Sequence, residues 1–269
     1  MAILINKFTK LFISISAKPG STGSLLHNTG YKLMKLNCIY IPFKFKNLKN
    51  FRLMISKFNI KGCSVSMPFK QSVVKLLDLR DESVKKTDVA NTVVVKNNKL
   101  KGYNTDYYST NLILNKIKLR KYDSVLLIGN GGIAKTIYTC IKNTKVEKIF
   151  LCARDRSKYK KWKVSKRCII IPWNKRNLMS AALLVNATPI GMTNNALPVK
   201  KNCIKNFRCI LDLVINNKSS IKSIAKRQKI RFFGGLEFSF YQGCKQFEIY
   251  TNKKLNQTQL KQELGYRFN

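Results

Sequence analysis

Short apolar runs recur along the chain, separated by polar stretches in which apolar residues fall at helical spacing. Residues 1–16 predict a first β-strand. Lys7 and Lys10 interrupt that stretch and no clear small-residue cleavage site follows, which argues against a secretory leader. A loop of turn formers and hydroxyls, residues 17–24, leads into a helix over Leu25–Lys35. Strand Cys38–Phe43 and a helix around Leu48–Phe58 come next. Cys63, Val65 and Met67 then alternate with Ser64 and Ser66, a period of two that predicts a strand stopped by Pro68 and a helix from about Gln71. Further strands are predicted at Asp88–Val95, Val125–Ile128, Lys148–Ala153, Ala182–Thr188, Ile210–Val214 and Phe232–Gly235. Helices are predicted at Ile133–Lys142 and Glu237–Tyr250, with a short one beyond Lys253. Strand and helix alternate in this way in the α/β class.

One stretch carries more than a pattern. Val125–Ile128 is uniformly apolar, as in a strand buried on both faces, and it runs into Gly129, Gly131 and Gly132 before the helix. Strand, glycine turn and helix make a dinucleotide site. The first glycine makes the tight turn, and the next lets the backbone approach a pyrophosphate at the positive helix N-terminus. Ala134 is small where helix and strand must pack closely. The plain alternative is an ordinary strand–helix turn with incidental glycines.

Composition changes the picture in two ways. Lys and Arg number 52 against 12 Asp and Glu, a net charge of +40. Such an excess is the footprint of a nucleic-acid partner when it is clustered. Here the lysines are spread along the chain with abundant Asn and Ile, the signature of an A+T-rich genome, so no specific nucleic-acid partner is expected. Eight cysteines are scattered without a C-x-x-C pair, several inside apolar runs; they read as small buried hydrophobes in a reducing cytoplasm. With one histidine, His27, a metal site has little support. No run of 18 apolar residues predicts a membrane span.

Several polar residues sit where ligands collect. Ser21 and Ser24 precede or open the first helix; each is a helix cap or a holder of a polyhydroxylated ligand. Lys70 falls just past a strand end, beside Ser64 and Ser66, and α/β proteins gather ligand groups at such ends. Asn91 and Thr92 enter a strand. Asp106, one of few acids, follows Asn104 and Thr105 at the start of a helical stretch and is a helix cap on the plainest reading.

Taken in order, V-S-M-P-F-K (65–70), V-A-N-T-V (89–93), Y-N-T-D-Y (103–107), G-N-G-G-I-A (129–134), N-A-T-P-I-G-M (186–192) and G-L-E-F-S-F-Y-Q (235–242) resemble the shikimate dehydrogenase family, especially its shikimate-dehydrogenase-like branch. The resemblance covers nearly the whole chain. It implies a substrate domain over 1–106, completed by C-terminal helices in 237–269, and a Rossmann-type NADP-binding domain over 107–236, with the reaction in the cleft between them. It implies an NADP-dependent, reversible reduction of 3-dehydroshikimate to shikimate on the route to aromatic amino acids. Lys70 and Asp106 would be the catalytic pair. Ser21, Ser24, Ser66, Asn91 and Gln242 would bind substrate. Free lysine is protonated at neutral pH, so two roles stay open for Lys70: proton transfer, or electrostatic stabilisation of the developing alkoxide.

The family pattern is not followed everywhere. Its two-serine loop is here Gly20–Asn28, where Ser21 survives, Gly23 replaces the second serine and Ser24 stands in. The usual Asn and Thr of the strand before P-F-K are Ser64 and Ser66, and a usual Tyr is Ile215. On the cofactor side, Arg154 follows the second strand of the dinucleotide domain and suits a 2′-phosphate, while the adjacent Asp155 argues mildly for NAD. Thr188 would line the nicotinamide half, and Gly234 and Gly235 would let the backbone approach the cofactor. The expectation is a cytoplasmic monomer or homodimer. A quinate/shikimate dehydrogenase using NAD is the alternative within the family, and a basic nucleic-acid-binding protein the alternative outside it.

Overall fold

A computed structural model describes residues 5–216 and 218–268. The chain forms two compact units, one running to Tyr108 and resuming at Ser239, the other spanning Ser109–Phe238. It passes from one to the other within a helix each time.

The first unit holds six strands: β1 (Lys10–Ser16), β2 (Cys38–Lys44), β3 (Gly62–Val65), β4 (Leu79–Arg80), β5 (Thr92–Lys96) and β6 (Lys99–Tyr103). Their order is β2-β1-β3-β5-β6-β4. β1 pairs parallel with β2 and β3, whereas β5 is antiparallel to both β3 and β6. The β5–β6 turn is Asn97-Asn98, with φ of +49° and +56°. Both central residues of this hairpin turn are left-handed, which asparagine tolerates. Helices α1 (Thr22–Leu33), α2 (Phe51–Lys57), α3 (Glu82–Thr87) and the start of α4 (Thr105–Ile117) belong to this unit. Ile13, Ile15, Cys63, Val65 and Val93 form its core against Phe51, Val73 and Val84.

The second unit is a six-stranded, all-parallel sheet: β7 (Ser124–Ile128), β8 (Lys148–Cys152), β9 (Cys168–Ile171), β10 (Ala181–Asn186), β11 (Phe207–Asp212) and β12 (Arg231–Gly234). The order β12-β11-β10-β7-β8-β9 runs outward from β7 in both directions. That is the doubly wound Rossmann order, and the glycine loop after β7 lies at the point where the winding reverses. Val125, Leu126, Leu127 and Ile128 are all inaccessible, as a strand covered on both faces requires. Helices α5 (Gly132–Lys142) and α6 (Ser220–Arg227) follow β7 and β11. Two further helices complete the chain, α7 (Gly235–Thr251) and α8 (Gln257–Glu263).

The structure corrects several expectations. The first strand begins only at Lys10; residues 1–4 of that prediction lie outside the described residues. β3 stops at Val65 and Met67 is exposed, because the chain turns away before Pro68 and breaks the alternation. The helix expected from Gln71 is one 3₁₀ turn, Ser72–Leu76. Asp88 is not in a strand: its φ of +52° ends α3, and β5 starts at Thr92. β4, β9, α3 and α6 carried too short an apolar signal to predict. Nor do the loop serines cap α1. Ser21 occupies the N-cap position without a side-chain bond, and the Ser24 hydroxyl donates instead to the Ser21 carbonyl at 2.9 Å.

Candidate active site

In the first unit the polar residues converge from four segments. Lys70 lies beyond β3, and its Nζ stands 2.5 Å from Asp106 Oδ2, with the two side chains 16% and 3% exposed. Asp106 is inside the first turn of α4 rather than capping it, so the helix dipole favours its negative charge. The bond that satisfies the start of α4 comes from elsewhere: Asn91 Oδ1 accepts the Thr105 amide at 2.8 Å. Asn91, just before β5, donates through Nδ2 to Thr105 Oγ1 at 3.0 Å and to Gln242 Oε1 at 3.3 Å. Gln242 Oε1 also accepts from Thr105 Oγ1 at 3.0 Å, and Gln242 Nε2 donates to the Ser239 carbonyl at 3.2 Å. An ion pair and an amide cluster are thus joined through adjacent residues, Thr105 and Asp106.

The serines divide. Ser21 and Ser66 are exposed, whereas the Ser24 hydroxyl is spent on Ser21. Ser64 is engaged inside the unit: Tyr40 donates to its hydroxyl at 2.5 Å, and it donates to Gln246 Oε1 at 2.6 Å. Gly23 faces the same phenol, since a Cβ there would stand 3.3 Å from the Tyr40 oxygen. Sequence patterns did not assign a role to Thr105, Tyr40 or Gln246. The one signal that could have found Gln246 is its spacing of four from Gln242, which places both on one helix face.

The second unit carries the glycine loop. Gly129 has φ +123°, and a Cβ would meet the Ala187 carbonyl oxygen at 2.6 Å. Only glycine fits there. Gly131 is the N-cap of α5 and makes no side-chain cap, and a Cβ on it would meet nothing within 4 Å. The start of α5 is therefore bare backbone facing open space, with Gly132 its first residue and Ala134 fully buried beneath. These features fit a bound dinucleotide diphosphate. Arg154 is exposed just past β8. Asp155 accepts the Ser157 amide at 3.0 Å and hydroxyl at 2.6 Å, bonds that hold its carboxyl below the usual range and occupy it in a local turn.

Two residues expected on the cofactor side have local contacts of their own. Gly235 is small because a Cβ there would stand 2.5 Å from the Leu213 carbonyl oxygen. The close approach of chain on chain there requires glycine. Thr188 donates to Asn186 Oδ1 at 2.7 Å and accepts from the Ile190 amide at 3.2 Å, so its hydroxyl shapes the turn after β10. Asn186 in turn donates to Asp212 Oδ1 at 2.8 Å. Burial lifts the Asp212 carboxyl to about 6.

Residues 19–93 match the family described as the shikimate dehydrogenase substrate binding domain. A relative in Clostridium beijerinckii named shikimate dehydrogenase (NADP(+)) is 32% identical over 237 residues, 86% of this chain and 87% of that protein. The chain belongs to the shikimate dehydrogenase family. Another member, the shikimate dehydrogenase-like protein of Haemophilus influenzae, is 30% identical over 256 residues, 93% of this chain and 94% of its own. Among solved structures, a shikimate 5-dehydrogenase-like protein superposes with a TM-score of 0.83 at 28% identity, covering 97% of this chain and 98% of that one. A shikimate dehydrogenase in complex with NADP+ superposes with a TM-score of 0.82 at 25% identity, covering 96% of each chain. The shikimate dehydrogenase fold accounts for both units, a substrate-domain sheet in the first and a Rossmann sheet in the second.

Proposed function

We propose that this enzyme catalyses the NADP-dependent, reversible reduction of 3-dehydroshikimate to shikimate, a step toward aromatic amino acids. The observation that carries the reading is the Lys70–Asp106 pair, its carboxylate buried and its lysine partly so, held against the Asn91–Thr105–Gln242 cluster. NADP, when bound, supplies the hydride chemistry. Gly129, Gly131, Gly132 and the start of α5 would hold its diphosphate, and Arg154 its 2′-phosphate.

The chain's own residues do the rest. Asp106 holds the Lys70 ammonium in place. In the reducing direction Lys70 Nζ hydrogen-bonds the ketone oxygen and gives it a proton as negative charge develops; in the oxidising direction it stabilises the alkoxide and takes the proton back. Asn91 and Gln242 orient one another, and exchanging their mutual 3.3 Å bond for a substrate hydroxyl makes both available as ligands. Ser21 and Ser66 retain exposed hydroxyls for the rest of the substrate. Among the described residues no helix is long and apolar enough to cross a membrane. The proposed enzyme is cytoplasmic and acts on a small molecule, as a monomer or homodimer.

The test is nicotinamide absorbance with shikimate or quinate and NADP or NAD. Shikimate should reduce NADP, and Lys70→Ala should lose at least about 100-fold in turnover. A folded Lys70→Ala enzyme of near-normal turnover overturns the catalytic assignment. Turnover of quinate with NAD but not of shikimate would favour the other branch of the family.

A further inference from the structure

Behind the Asn91–Gln242 pair runs a second hydrogen-bond chain, enclosed in the first unit and unused by the proposed chemistry. It starts at His27 on α1, which is fully buried and stacked on the Tyr40 ring at 4.5 Å. His27 Nε2 lies 3.0 Å from Gln246 Oε1. Gln246 is one turn beyond Gln242 on α7 and is itself buried. Its Nε2 donates to Thr92 Oγ1 at 2.7 Å and to the Asn91 carbonyl at 3.3 Å. The Thr92 hydroxyl then donates to Asn91 Oδ1 at 2.8 Å, and Asn91 Nδ2 donates to Gln242 Oε1.

The direction of this chain matters. Both N–H groups of Gln246 are spent on Thr92 and Asn91, so its oxygen must face His27 and Ser64. His27 therefore carries its proton on Nε2 and is neutral. Two observations agree: burial lowers its pKa to about 4, and Nδ1 is buried with no partner, as suits an unprotonated nitrogen. Every link then donates the same way, His27 to Gln246, Gln246 to Thr92, Thr92 to Asn91, Asn91 to Gln242. Aligned links of this kind polarise one another. The chain presents Asn91 with its oxygen toward Thr92 and its amide nitrogen toward Gln242, which supplements the Thr105 amide bond to the same oxygen.

We propose that His27 and Gln246 are positioning residues for substrate affinity, fixing the amide orientation of Asn91 and through it that of Gln242. The proposal rests on the reading above, in which those two amides meet substrate hydroxyls. His27 touches neither substrate nor cofactor. Its loss should weaken ground-state and transition-state binding alike, which raises KM and spares kcat.

Three variants test it. His27→Phe keeps the ring and its stacking but removes the donor. His27→Gln restores an N–H at the position of Nε2. Thr92→Val breaks the chain two links further on, with the same volume and without touching the histidine pocket. His27→Phe and Thr92→Val should each raise KM for shikimate about fivefold to tenfold, with kcat and KM for NADP within about twofold of wild type. His27→Gln should recover most of the affinity. If His27→Phe does not fold, Thr92→Val decides between the outcomes. An active wild type whose KM is unmoved in the folded variants, or whose kcat falls instead, overturns this proposal alone. A wild type inert to shikimate overturns the reaction and the proposal together.

Discussion

Replacing Asp212 with Asn removes a proton that works against another one elsewhere in the chain. Asp212 ends β11, is buried, and accepts from Asn186 Nδ2 at 2.8 Å and the Val214 amide at 3.4 Å. Burial outweighs those bonds and raises its carboxyl from 3.8 to about 6. A raised acid binds its proton more tightly folded than unfolded. Its stabilising contribution is complete below 3.8 and is lost as pH rises through 6. Going down from pH 7 to pH 4, Asp212 therefore adds about 2 kcal/mol. His27 has the opposite sign. Its pKa falls from 6.5 to about 4, so its contribution is complete above 6.5 and is lost as pH falls through 4, about 3 kcal/mol over the same interval. For these two groups the wild type should be nearly level, losing about 1 kcal/mol. Asp212→Asn keeps an oxygen to accept from Asn186 but cannot titrate, so it should lose about 2 kcal/mol more on acidification than the wild type does. Urea unfolding followed by circular dichroism, repeated between about pH 7 and about pH 4, measures the difference. A gap between wild type and variant that stays constant across that interval refutes the reasoning.

Other perturbations test single features. Gly129→Ala should cost about 1–3 kcal/mol, since the positive φ and the Ala187 carbonyl leave no room for a Cβ; an unchanged melting temperature would contradict this. Asp106→Asn should lower turnover at least about 100-fold while leaving KM for NADP near wild type, because it leaves Lys70 without its carboxylate. Arg154→Ser should raise KM for NADP about tenfold and leave KM for NAD alone; equal changes for both cofactors would remove the 2′-phosphate role.

Legibility varied with how local the cause was. β7 was plain because four consecutive apolar residues followed by glycines admit few other structures, and the buried strand confirms the reason. Lys70 is marked by its place past a strand end and Asp106 by the scarcity of acids, but only the ordered motifs join the two, since nothing in periodicity brings residues 36 apart into an ion pair. Ser24 and Gly235 have local contacts that the sequence hides for opposite reasons. The Ser24 hydroxyl reads as a helix cap or a ligand holder, and a carbonyl three residues back is within its reach. At Gly235 the atom that excludes a side chain is a carbonyl of the preceding strand segment, visible only once the chain has folded back. Gln246 was missed because a buried amide looks like any other polar residue until its four partners, from three separate segments, surround it.

The fate of the cysteines has a practical side. Seven of the eight are buried and all are free, with Cys168 half-buried beside the Ser165 hydroxyl at 3.3 Å. Burial pushes Cys63 and Cys140 well up, Cys152 and Cys209 to about 11 and Cys244 to about 12. Since the thiolate is the species that attacks electrophiles, these side chains are both out of reach and in the wrong form. Toward a maleimide dye the buried cysteines of the folded enzyme should stay silent, and half-buried Cys168 is the native thiol to replace. One cysteine introduced on the surface of that variant would then give a single labelled position, with the seven buried ones left in place.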